Sequence, residues 1–140
     1  MKRRRWLAVP IMVLIAVGTA KAVLSQSVVA ITSTSQTVEL RGTSGGNRKV
    51  GGCAGYISSA PNHIIQVAED TNLRISLQAS GGQPSLLIRN PSGQEFCVPA
   101  DRYSGGKIDV PGRWTQGNYS VYVGDRDNGQ YSYTLRISPN

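Results

Sequence analysis

Histidine is the side chain used most often as a general base, and cysteine is a strong nucleophile; this chain has few of either. Its 140 residues include one histidine, His63, and two cysteines, Cys53 and Cys97. His63 follows Pro61-Asn62 at the start of an apolar run. At the entry to a strand, a histidine can bond a neighbouring backbone carbonyl, and we therefore predict a structural role for His63.

Pairs of carboxylates are another route to acid–base chemistry. Asp101 could act with Asp109, and Asp125 with Asp127, but the chain has only eight acidic residues and most of them stand in evident turns. An independent hydrolase is therefore the least supported interpretation. We predict that the protein is not an enzyme and needs no cofactor.

The run "DRDNG" at residues 125–129 offers oxygen ligands for calcium, from Asp125, Asp127 and Asn128. An EF-hand calcium loop would need further ligands and a closing glutamate, which the run lacks. The alternative is a hairpin connection, in which Asn128-Gly129 supplies positive φ and the aspartates cap loop amides. We favour the hairpin and keep the three residues as weak metal candidates.

The two cysteines are predicted to form a disulfide, because an exported chain meets an oxidising compartment. A Cys53–Cys97 bond closes a loop of about 45 residues, which the chain-entropy model values at about 4 kcal/mol. The alternatives are two free thiols or a metal pair. A metal site would need ligands beyond the single histidine.

Five of the six tyrosines lie between residues 103 and 133. Alternation along the last two predicted strands places Tyr119, Tyr131 and Tyr133 on the apolar faces. An aromatic side chain buries a large area in a core, about 150–250 Å². We therefore predict that these three rings pack inside the fold.

The remaining aromatic residues indicate a candidate recognition surface. Tyr122 falls on the polar face of its strand, while Trp114 and Tyr103 fall in predicted loops. Aromatic residues and arginines are enriched at recognition sites. The candidate patch consists of Tyr122, Trp114, Tyr103, Arg113 and Arg126. For Trp114 we favour the alternative, in which the ring plugs the open end of the fold.

These residues must be positioned by strands, because no segment has a 3.6-residue apolar period. Short alternating runs broken by Gly and Pro turns predict an all-β fold, an antiparallel β-sandwich. The predicted strands are 37–41, 63–67, 73–79, 85–89, 94–98, 107–110, 118–124 and 130–137. Residues 23–52 are predicted to be a polar leader with an edge strand near 28–31 and a glycine-rich surface loop at 42–52, and residues 53–140 the sandwich domain.

The N-terminus has the three parts of a secretory signal peptide. Lys2 to Arg5 are basic, residues 7–17 are apolar, and Ala20-Lys21-Ala22 fits a signal peptidase. We predict that residues 1–22 are removed, leaving a secreted or periplasmic protein without a stable membrane span. The alternative, a retained anchor, has fifteen residues between the flanking charges, short of the roughly 20 needed to span a bilayer.

Signal removal changes the charge balance. The full chain has 15 basic and 8 acidic residues. Five basic residues lie in the signal, so the mature chain has ten, and its net charge is 10 − 8 = +2. Acidic and basic residues are also interspersed along the mature sequence, where only Arg48 and Lys49 stand together as neighbouring cations. We therefore predict no nucleic-acid partner, because such proteins carry clustered positive charge.

Three segments carry a resemblance to a known family. They are "SLLIRNPSG" at 85–93, "GNYSVYV" at 117–123 and "GQYSYTLRI" at 129–137. Together with the apolar run at 63–67, they resemble the bacterial pre-peptidase C-terminal domain over residues 63–138. The motifs are moderately specific, since they encode the packing of strands.

The resemblance implies a β-sandwich with jelly-roll-like topology and no catalytic function. Members of that family usually accompany secreted peptidases and other exported enzymes, and some bind calcium or matrix proteins. We therefore expect an exported binding or accessory module that recognises an extracytoplasmic protein or polysaccharide. The alternative is a small regulator, an inhibitor or folding helper of a secreted hydrolase.

Overall fold

The computed structural model describes residues 27–140, so the predicted signal peptide lies outside the described residues. This part of the chain forms eleven strands and no helix, which confirms the all-β prediction. The strands are β1 (Ser27–Ile31), β2 (Val38–Thr43), β3 (Arg48–Gly51), β4 (Gly55–Ile57), β5 (His63–Val67), β6 (Thr71–Ala79), β7 (Pro84–Arg89), β8 (Glu95–Pro99), β9 (Lys107–Trp114), β10 (Gly117–Asp125) and β11 (Ser132–Pro139). Within residues 27–140 there is accordingly no helix that could cross a membrane.

The strands form two sheets that face each other. In the seven-stranded large sheet, β10 pairs with β5 and β4 and also with β7. Strand β1 adds parallel to β5, β8 adds antiparallel to β7, and β3 adds antiparallel to β4. The small sheet has the order β2-β11-β6-β9 and is antiparallel throughout. The sandwich prediction is confirmed.

The core lies between the sheets and follows the alternation in the sequence. On β6, Leu73, Ile75 and Leu77 are buried against the large sheet, and the residues between them point outward. Val121 on β10 meets them from the other side as part of the same cluster. Removing these side chains from water is the main favourable term in folding.

The sandwich begins earlier than residue 53. Strand β1 belongs to the large sheet and β2 to the small sheet, and Ile31 is fully buried. Part of the segment predicted as a surface loop is also packed. Gly45 has φ +77°, and a Cβ there would lie 2.2 Å from the Gly129 carbonyl oxygen, so the close approach of two loops requires glycine.

Strand β9 is longer than predicted because it continues through Pro111 to Trp114. It is an edge strand of the small sheet. An edge strand tolerates proline because one row of its amides has no partner strand. Trp114 therefore stands on a strand and not in a loop.

Candidate functional site

The predicted recognition patch is not assembled, and Tyr122 is the first reason. Its ring does point to the outer face of the large sheet, beside Leu87 of β7. However, only 3% of Tyr122 is exposed, because Ala54 and Ile57 pack over it in a second hydrophobic cluster. The outward direction was predicted correctly, and the accessibility was wrong.

The predicted disulfide joins the segment that covers Tyr122 to the large sheet. Cys53, between β3 and β4, is bonded to Cys97 of β8, and their Cα atoms are 6.1 Å apart. Cys97 packs beside Tyr122 and Leu87 in the second cluster. The predicted disulfide is confirmed, and it fixes the segment that shields Tyr122.

The other patch residues lie at two ends of β9. Tyr103 precedes the strand and is 89% exposed, while Trp114 is its last residue. Eight residues of strand span roughly 25 Å, too far for one small site. Arg126 donates to the Ala100 carbonyl at the Tyr103 end, and Arg113 stands beside Trp114. The rest of the predicted set is thus divided between the two ends of β9, with Arg113 and Trp114 at one end.

Arg113 and Trp114 line a groove of about 510 Å³. Its walls come from the turn between β7 and β8, from β8, from β9 and from the start of β10. The lining residues are Asn90, Pro91, Ser92, Phe96, Val110, Pro111, Gly112, Arg113, Trp114, Thr115 and Tyr119. We call this the aromatic groove.

Three rings in contact form the apolar part of the groove. The ring centroids of Trp114 and Tyr119 are 4.5 Å apart, and those of Phe96 and Trp114 are 6.2 Å apart. Trp114 and Tyr119 are almost completely buried, whereas 41% of Phe96 is exposed. Buried rings thus support an accessible one, which is free to stack on a ligand.

Polar groups surround these rings. The Tyr119 hydroxyl donates to the Thr115 carbonyl at 2.8 Å and also bonds the Thr115 hydroxyl, which fixes the ring. Asn90 and Ser92 stand in the turn at one wall, and Arg113 supplies the one charge in the lining. An apolar surface with a few oriented polar groups is typical of small-ligand sites.

Sequence reasoning missed Phe96, although a signal existed. Side chains alternate along β8, so Phe96 and Val98 take the inner face while Cys97 takes the outer one. Phe96 pairs with buried Ile88, yet β8 is an edge strand of its sheet. An inward aromatic on an edge strand is covered from one side only, which explains its partial exposure.

Asp125 is a structural carboxylate. It is fully buried, its Oδ1 accepts the amides of Asp127 and Gly129, and its Oδ2 accepts the amide of Gln83. Asn128 has φ +58°, as predicted, but Gly129 does not have a positive φ. Strand β10 lies in the large sheet and β11 in the small one, so the run connects the two sheets and the hairpin prediction was wrong. Among residues 27–140 no group of three or more His, Cys, Asp or Glu could hold a metal ion.

Of the three tyrosines predicted to pack in the core, two are buried and one is exposed. Tyr119 and Tyr133 are buried, as predicted. Tyr131 is 38% exposed because it precedes β11 and lies across glycines of two loops. A Cβ on Gly82 would come within 2.4 Å of its ring. The prediction that Tyr131 packs in the core was wrong.

Residues 42–46 read Gly-Thr-Ser-Gly-Gly, which matches the pattern of a nucleophile elbow. Ser44 and His63 line one polar cleft of about 640 Å³. Ser44 is nevertheless fully buried, and its hydroxyl accepts the Tyr131 amide. Among the described residues that line the cleft there is no carboxylate to orient His63 as a base. The arrangement therefore lacks the parts of a catalytic triad.

His63 links the two sheets. Its Nε2 lies 2.6 Å from the Tyr133 hydroxyl, and a Cβ on Gly42 would lie 2.4 Å from that same oxygen. Burial lowers the pKa of His63 to about 4 and raises the pKa of Tyr133. The imidazole is therefore neutral at neutral pH. The structural role fits the prediction, but the partner is the Tyr133 hydroxyl and not a backbone carbonyl.

Stability is expected to fall in mild acid because of His63. The folded pKa of about 4 lies below the ordinary value of 6.5, so between these values the unfolded chain binds a proton that the folded chain does not. Urea unfolding should give a free energy about 2 kcal/mol lower at pH 5 than at pH 7.5. A His63→Gln variant should lack this part of the pH dependence, and an equally steep decline in that variant would contradict the assignment.

The chain is similar in sequence to a cyanobacterial protein and in fold to a solved bacterial domain. An uncharacterized protein of Synechococcus elongatus is 36% identical over 106 residues, covering 72% of this chain and 75% of the relative. The crystal structure of the pre-peptidase C-terminal domain of the Bacillus anthracis collagenase superposes with a TM-score of 0.55. It is 18% identical and covers 81% of this chain and 97% of that domain, which confirms the predicted fold resemblance. No family model matches the chain.

Proposed function

The chain belongs to the same family as the Synechococcus elongatus protein, and from this premise we propose that it is an exported, non-catalytic module that binds a polysaccharide in the aromatic groove. The observation that carries the proposal is the half-exposed ring of Phe96, supported from below by Trp114. A sugar ring presents an apolar face that stacks on such a surface, while its hydroxyls reach the polar walls.

The dimensions of the groove favour a saccharide over a protein partner. A volume of about 510 Å³ lies within the usual range for small-ligand sites, about 300–1,000 Å³. A stable protein interface buries about 800 Å² on each partner and commonly has several exposed aromatic anchors. In the groove, Phe96 is the one exposed large apolar side chain among the described residues.

Export is part of the same proposal. Its support is the Cys53–Cys97 bond, because disulfides persist in oxidising compartments, together with the signal-peptide pattern of residues 1–22. A glycan outside the cytosol is the ligand that such a module would meet.

Replacing Phe96 by alanine is expected to weaken saccharide binding at least about 10-fold, because a central aromatic anchor carries much of the affinity of a small site. The mature protein would be screened on an array of bacterial and plant oligosaccharides, and the best ligands measured by calorimetry. Phe96 is partly exposed on an edge strand, so the fold should survive, which circular dichroism would verify.

The matched control is Tyr103→Ala, which removes an exposed ring at the opposite end of β9. It should bind as the wild type does. Unchanged affinity in Phe96→Ala, or an equal loss in Tyr103→Ala, would contradict binding in the aromatic groove.

A further inference from the structure

On the outer face of the small sheet, strand pairing brings together positively charged residues that are far apart in the sequence. Strand register places Arg41, Thr134, Gln78 and Lys107 side by side across the four strands. The row has a cation at each end and an amide and a hydroxyl between them. With strands about 4.8 Å apart, it is about 14 Å long.

The neighbouring row carries two anions and one cation. It consists of Glu39, Arg136, Ser76 and Asp109 in direct register. Glu39 pairs with Arg136 at 3.3 Å and with Arg41 of the first row at 3.2 Å, and Asp109 pairs with Arg74 of the next row. Both carboxylates on this face are thus held by arginines.

The face as a whole is strongly basic. Its outward positions include five cations, namely Arg41, Arg74, Lys107, Arg113 and Arg136, and two anions, Glu39 and Asp109. The excess is 5 − 2 = +3, whereas residues 27–140 carry ten basic and eight acidic residues, 10 − 8 = +2. The net positive charge of the described chain therefore lies on this one face, and the remainder is slightly negative.

The surface is also shaped to hold an extended molecule. Two shallow grooves, of about 410 and 650 Å³, lie on it and share Gln78 and Thr134 as lining residues. Together they run past Arg41, Lys107 and Arg136. We call this surface the basic face.

We propose that the basic face binds an acidic polysaccharide, a linear glycan that carries carboxylate or sulfate groups. The cations would pair with the acidic groups, and the hydroxyl and amide side chains between them would bond the sugar hydroxyls. Of the five cations, only Arg113 also lines the aromatic groove, so the proposal rests on the other four.

Side-chain chemistry separates this ligand from other polyanions. Single-stranded nucleic acids are held by aromatic rings that stack on bases, and the outward positions of the described strands β2, β11, β6 and β9 carry no aromatic residue. An anionic bilayer would favour exposed apolar side chains beside the cations. The exposed large apolar residues of the described chain are Val28, Val50, Phe96, Tyr103 and Tyr131, and none of them lies on the four strands of this sheet.

The test uses the mature protein on surfaces carrying polygalacturonate, dextran sulfate or neutral dextran. We expect binding to either acidic polymer, decreasing with added salt because the cations are exposed, and no binding to neutral dextran. An Arg41→Gln/Lys107→Gln variant should bind about 3- to 10-fold more weakly, since each exposed charge pair contributes modestly.

The matched control is Arg48→Gln/Lys49→Gln, which removes the same charge from β3 of the other sheet. Wild-type affinity in this control supports a site on the basic face. An equal loss in both variants would show that only total charge matters and would overturn the proposal, as would equal binding to neutral dextran. Phe96→Ala should leave the binding of acidic polymer unchanged, so failure of the groove and failure of the basic face are distinguishable.

Discussion

A Cys53→Ser/Cys97→Ser variant is expected to have a free energy of unfolding about 4 kcal/mol lower than the wild type. The bond closes a loop with a sequence separation of 44 residues, and opening it returns that loop's entropy to the unfolded chain. For a domain of this size the Tm should fall by about 15 °C. Denaturant unfolding with and without a reductant measures the effect, and reduced wild type should resemble the variant.

The loss of stability in this variant should be concentrated in one part of the fold. Cys53 holds the segment that covers Tyr122 and Leu87, so amide hydrogen exchange should accelerate first in residues 48–57. Exchange in β6, in the middle of the small sheet, should change only with global stability. A variant that unfolds within 1 kcal/mol of wild type, or that loses protection uniformly, would contradict this role for the disulfide.

Strands with one buried face were predictable because apolar and polar residues alternate along their sequences. Leu73, Ile75 and Leu77 recur at every second position, and β6 forms there. Strands β3 and β4 were not predictable, because their short sequences contain glycine and few apolar residues. Strand β4 pairs with β10, and the disulfide joins the neighbouring Cys53 to β8; both partners are distant in sequence.

The candidate site was predictable only in part, because it too depends on contacts that are distant in the sequence. Alternation gives the face of a side chain but not what covers that face. Tyr122 points outward as predicted and is buried by Ala54 and Ile57. Phe96 points inward and is exposed because β8 ends the sheet. The exposure of a side chain depends on neighbours in space that are distant in the sequence.

The clustering of positive charge on one face was likewise not predictable from the sequence alone. Arg41, Gln78 and Lys107 are separated by tens of residues, yet strand pairing places them in one row with Thr134. The absence of a charge run in the sequence argued against a nucleic-acid footprint, and the register still produces a face with excess positive charge. A glycan-binding role would join this face and the aromatic groove on one small domain.

Replacing Asp125 by alanine is expected to lower the free energy of unfolding by about 4 kcal/mol, because three hydrogen bonds to one buried carboxylate are lost. Its oxygens bind the amides of Gln83, Asp127 and Gly129 at 2.8–3.1 Å. These amides belong to the loop before β7 and the loop after β10. The substitution should loosen both loops together, which hydrogen exchange would detect.

Asp125→Asn separates hydrogen bonding from simple loss of volume. The amide side chain can still accept from Asp127 and Gly129 through one oxygen, but its NH₂ group would face the Gln83 amide, a donor opposite a donor. We therefore expect a smaller loss, about 2 kcal/mol, concentrated in the loop before β7. Calcium and chelator should leave the wild-type Tm unchanged, because the carboxylate oxygens already bind amides. A calcium-dependent rise in Tm that disappears in Asp125→Asn would show instead that the carboxylate binds the ion.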